Sequence, residues 1–101
     1  MSIENIKLIW NEIAINVTYN NDWSKAHREI MGFSMAHLEI KSENKVRLPI
    51  TETGYRSHFI AATIIEDYGG AEKYVTDWLE EKAKSKDWQD YWRSSKQLSL
   101  F

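Results

Sequence analysis

The strictest constraint in this chain is an alternation. Ile13, Ile15, Val17 and Tyr19 are large and apolar, and Ala14, Asn16 and Thr18 between them are small or polar. Successive side chains of a strand point to opposite faces, so this spacing gathers the four apolar groups only if the segment is extended. Ile6-Lys7-Leu8-Ile9-Trp10 just before it reads as a second strand, and Asn11-Glu12 fits a two-residue hairpin turn. Ala36, Leu38 and Ile40 alternate in the same way with His37, Glu39 and Lys41. Val46-Arg47-Leu48-Pro49-Ile50 reads as a further strand, at an edge or ending near Pro49, because proline has no N–H for the ladder. Residues 24–31 read as a short helix, capped by Ser24 or Asp22 and ended by Gly32.

The second half changes period. Thr51 to His58 is polar and turn-prone, and Phe59 to Ile65 is apolar but too short to separate strand from buried helix. Gly69-Gly70 is a break. Ala71, Val75, Trp78, Leu79 and Ala83 then share one helical stripe, and Trp88, Tyr91 and Trp92 repeat the spacing behind Ser85 or Asp87. Arg93-Ser94-Ser95-Lys96 reads as a short polar tether. Strands first and helices last is the α+β pattern. The expectation is a small, mainly antiparallel sheet over residues 6–50, extended or not by 59–65, and covered on one face by one or two C-terminal helices. Residues 1–93 then form one domain, and 94–101 a flexible C-terminal tether and peptide.

Composition narrows the function classes. A chain of 101 residues hides roughly two-thirds of its unfolded surface and needs no staples. It has no cysteine, which excludes disulfides and thiolate metal sites and suits a cytoplasmic setting. No stretch approaches the ~20 apolar residues of a membrane span. A net charge of −2 is wrong for a protein held on nucleic acid by its own charge, so direct nucleic-acid contact is not expected. The five tryptophans are expected mainly in the core.

The last five residues, Gln97-Leu98-Ser99-Leu100-Phe101, put three apolar groups after a polar stretch. A terminal Phe either packs back on its own domain, where Trp88, Tyr91 and Trp92 are near in sequence, or waits for a partner. This peptide resembles the motif by which bacterial polymerases, mismatch-repair proteins and replication regulators dock on the DNA sliding clamp, the polymerase β subunit. All five positions match. The resemblance implies that Leu100 and Phe101 fill an apolar cleft on the clamp. It assigns Gln97 to the polar end of that cleft, Leu98 to a flanking contact and Ser99 to backbone spacing.

A second polar cluster spans Thr51-Glu52-Thr53-Gly54-Tyr55-Arg56-Ser57-His58-Phe59, preceded by His37-Leu38-Glu39-Ile40. These segments resemble a set of small bacterial proteins, chromosomal and plasmid-borne, that share this run and to which no activity is attached. The likeness extends over about residues 8–80. By chemistry alone, Thr53, Gly54, Arg56 and Ser57 are candidates for an anion or ligand site. His58 with Glu52 or Glu39 is a candidate acid–base pair, with Arg56 and His37 nearby, and His37, Glu39 and His58 are conceivable metal ligands. Each depends on the fold bringing 37–39 beside 52–58. The plainer reading is a turn whose hydroxyls satisfy their own backbone. No catalytic residue, metal or cofactor follows from the pattern. The favoured expectation is a non-enzymatic clamp-binding adaptor or inhibitor. The alternatives are a small enzyme, perhaps acting on nucleic acid through this cluster, and a plain interaction domain with a self-packed tail.

Overall fold

A computed structural model describes residues 3–98, with side chains through Ser94. Its elements are β1 (Ile3–Trp10), β2 (Ile13–Asn20), α1 (Lys25–Met31), β3 (Met35–Ser42), β4 (Tyr55–Ala61), α2 (Ala62–Asp67), α3 (Ala71–Lys82) and α4 (Lys86–Leu98). The strands form one antiparallel sheet in the order β1-β2-β3-β4, each paired with its neighbour in sequence. The fold is α+β.

Local chemistry explains most boundaries. Asn11 and Glu12 both have positive φ, at 47° and 69°, the conformation that matches a two-residue hairpin to strand twist. The Ser24 hydroxyl accepts the His27 N–H at 3.1 Å and opens α1. Gly32, at φ 81°, closes it in the left-handed region, where its N–H reaches the Arg28 carbonyl. The Ser85 hydroxyl accepts the Trp88 N–H at 3.2 Å at the start of α4.

The alternation decides which face is covered. Leu8, Trp10, Ile13, Ile15, Val17, Tyr19, Ala36, Leu38 and Ile40 all turn to one side and are buried. Ala62 and Ile65 of α2, Ala71, Val75 and Leu79 of α3 and Trp88 of α4 cover them. Burying each large aliphatic side chain contributes about 2 kcal/mol, so this seam carries the stability of the domain.

Three segments depart from the sequence reading. Residues 46–50 are not a strand. Leu48 and Thr51 exchange two backbone hydrogen bonds, at 2.9 and 3.1 Å, around a tight turn at Pro49-Ile50. Leu48 and Ile50 are buried there, so apolarity reflects their place in the core and not extended pairing. The fourth strand is instead Tyr55–Ala61, which takes in half of the run read as turn. The apolar stretch 59–65 is divided between this strand and α2. Finally, α4 continues through Leu98, so residues 93–96, read as a tether, and Gln97 and Leu98 of the peptide are helical. Ser99, Leu100 and Phe101 lie outside the described residues.

Candidate functional site

Strand β4 is an edge strand, and its two faces divide the candidates Arg56, Ser57 and His58. Arg56 is paired with Ile40 and His58 with Leu38, so both belong to the helix-covered side. Tyr55, Ser57 and Phe59 are paired with Lys41, Glu39 and His37 and belong to the uncovered side. The sheet therefore stands between residues that are adjacent in sequence.

On the covered side, His58 is half-buried, and its Nε2 lies 3.1 Å from the Tyr74 hydroxyl. Its ring is 4.6 Å from Trp78, and the Arg56 guanidinium lies 5.5 Å from the same indole. Burial, and after it the positive charge of Arg56, hold the His58 imidazole below the usual 6.5. Burial also raises the Tyr74 hydroxyl above the usual tyrosine value, with Tyr68 adding to the effect. Both partners thus favour their neutral forms. A neutral imidazole bonded to a neutral phenol seals the rim of the core between β4 and α3.

The Thr51–Gly54 run is spent on its own turn. The Thr51 hydroxyl donates to the Tyr55 carbonyl at 2.8 Å, and the Thr53 hydroxyl lies 3.4 Å from the same oxygen. The Thr53 N–H reaches the Thr51 hydroxyl at 3.3 Å. Glu52 is exposed. Gly54 has φ 80°, and its carbonyl accepts the Ser42 N–H at 2.9 Å. The Ser42 hydroxyl donates to the Val46 carbonyl and braces the same corner. Thr53, Gly54, Arg56 and Ser57 do not converge on one point, because Arg56 leaves for the helices and Ser57 for the open face. His58 shares no face with Glu39, and no bond joins it to Glu52. His37 and Glu39 lie on the open face, away from His58. Among the described residues, no group of three or more His, Asp or Glu side chains is placed to hold a metal ion.

On the open side, His37 Nε2 lies 2.7 Å from the Ser57 hydroxyl, and its ring stacks on Phe59 at 4.3 Å and 19°. Trp23, from the loop before α1, meets Phe59 edge-on at 4.8 Å. Lys41 lies over the Tyr55 ring at 5.7 Å. Trp23, Phe59 and Tyr55 remain 51, 47 and 43% exposed. Sequence reading singled out His37 and Ser57 but missed this aromatic group. Its signal was the period-two spacing of Tyr55, Ser57 and Phe59.

Residues 3–88 match the family model described as the KlcB third domain. No curated protein and no solved structure matches the chain. The matched span runs from the first residue of β1 to the buried Trp88, and so takes in the whole sheet, α2, α3 and the first three residues of α4. On that span, the chain belongs to the KlcB third-domain family.

Proposed function

We propose that this protein is a non-enzymatic adaptor or competitor that docks on the bacterial DNA sliding clamp through Gln97-Leu98-Ser99-Leu100-Phe101. The observation that carries this reading is the five-position match of the peptide to the clamp-docking pattern. Two features of the domain support it. Trp88, the seat for a tail that folds back, is only 2% exposed and already has Trp10, Tyr91 and Trp92 around it at 5.3 to 5.8 Å. Beyond Trp92, Arg93 and Ser94 are exposed. The family match ends at residue 88, short of the peptide.

A short peptide that orders on binding reaches about micromolar affinity. The test is a titration of purified clamp into the fluorescently labelled protein, with and without residues 97–101. Saturable binding that is lost on truncation and displaced by another clamp peptide is the expected result. No binding by the intact chain at roughly 100 μM clamp overturns the reading.

A further inference from the structure

We propose that the uncovered face of the sheet is a platform for single-stranded nucleic acid, with Phe59 and Tyr55 as base-stacking positions and Lys41 and Lys7 as phosphate contacts. The proposal is independent of the clamp peptide. It starts from a mismatch between this face and the usual solvated side of a two-layer domain, which is polar. Here Phe59 and Tyr55 stay about half exposed, although His37 stacks on one side of Phe59 and Lys41 lies over Tyr55. Phe59 and Tyr55 are four residues apart on one strand, about 13 Å, with both side chains outward. Phe59 is held in orientation from two sides, by the stacked His37 and the edge-on Trp23. A ring fixed in this way loses little freedom when a base lies on it.

The charge pattern favours the same occupant. Register places Lys7, Asn16, Lys41 and Tyr55 in one row across all four strands. Lys7 and Lys41 are exposed, and Glu39 is the single acidic residue among the outward strand positions. The net charge of −2 made nucleic acid an unexpected partner, but that figure averages over two layers. Residues 62–92 carry eight acidic and four basic side chains, whereas residues 1–61 carry seven of each. The acidic excess therefore lies in the helical layer, on the other side of the sheet. Aromatic rings beside a few cations suit a single strand, whose unpaired bases offer π faces, and not a duplex.

The test is fluorescence anisotropy of a labelled thymidine oligonucleotide of about fifteen residues, titrated with the full chain at low salt. Saturable binding is expected, with a shallow log–log salt slope of roughly −1 to −2 for two phosphate contacts. Phe59→Leu keeps an apolar group in place but removes the ring, and should weaken binding about tenfold. Lys41→Gln should flatten the salt dependence. Urea midpoints of both variants establish that the fold persists. No binding by the wild type at roughly 100 μM, or equal binding by Phe59→Leu, overturns the proposal. So does a wild-type dimer that Phe59→Leu dissociates and that ignores the oligonucleotide, since the face would then be a seam between copies.

Discussion

Trp10 and Glu80, 70 positions apart in sequence, are joined by a 2.9 Å hydrogen bond from the indole Nε1 to the carboxylate Oε1. Trp10 closes β1 and is 4% exposed, while Glu80 sits on the outer side of α3. The bond ties the first strand to α3 over the core. Removing the acceptor leaves a buried N–H without its partner. Glu80→Ala is expected to destabilise the domain by about 1 kcal/mol, the low end for a charged acceptor because Glu80 reaches solvent. The urea midpoint measures it.

Trp88 is the other end of the same seam, 5.7 Å from Trp10. Trp88→Ala opens a cavity among Trp10, Tyr91 and Trp92 and should cost about 3–5 kcal/mol. The midpoint of urea unfolding, followed by far-ultraviolet circular dichroism, checks the value. If the tail docks on a partner, deleting residues 97–101 should leave that midpoint unchanged. A fall as large as that of a core truncation would instead mean that the tail packs on its own domain.

Two glycines with the same φ should respond differently to alanine. At Gly54, φ 80°, an added Cβ would stand 2.6 Å from the Ser42 Oγ and 2.7 Å from the Lys45 backbone. At Gly32, φ 81°, it would meet nothing within 4 Å. Gly32→Ala therefore carries only the left-handed penalty, about 1 kcal/mol. Gly54→Ala adds displacement of backbone and should exceed about 2 kcal/mol. Thermal melts of the two variants side by side give the comparison.

Acid should weaken the fold through His58. Burial and Arg56 hold its folded-state pKa below 6.5, so the unfolded chain takes up the proton first as the pH falls. The contribution of the neutral ring is fully present above 6.5. It is lost progressively as the pH drops through 6.5 towards the lower folded value. His58→Gln should remove this slope, and subtracting the two stability curves isolates it from the other histidines.

The parts of this fold that sequence made legible are those where one face is apolar and the other polar. The strands around Ile15 and Leu38 and the α3 stripe have that contrast, while the caps at Ser24 and Gly32 were readable from the capping residues themselves. Strand β4 lacks the contrast. Its inward positions include Arg56 and His58, because an edge strand lets a polar tip reach the rim, and its outward positions include Tyr55 and Phe59. The hydrophobic alternation is thus inverted, and the strand read as a turn. Leu48 and Ile50 misled in the opposite sense, since a tight turn folded into the core is as apolar as a strand. The separation of His37 from His58 depends on register, which spacing within one segment does not encode. The hydroxyls of Thr51 and Thr53, by contrast, were readable as turn chemistry from the run itself.

The nearest-neighbour order of the strands has a kinetic consequence. Every strand pairs with its neighbour in sequence, so the whole sheet can zip up from β1 to β4 while the helical third of the chain is still being synthesised. During that interval the side holding Ile15, Val17, Leu38 and Ile40 is wet and adhesive, and it becomes dry only when α2, α3 and finally Trp88 arrive. A ribosome stall between residues 61 and 88 would release a half-built sandwich with its greasiest surface open, a species for chaperones and proteases to contend with.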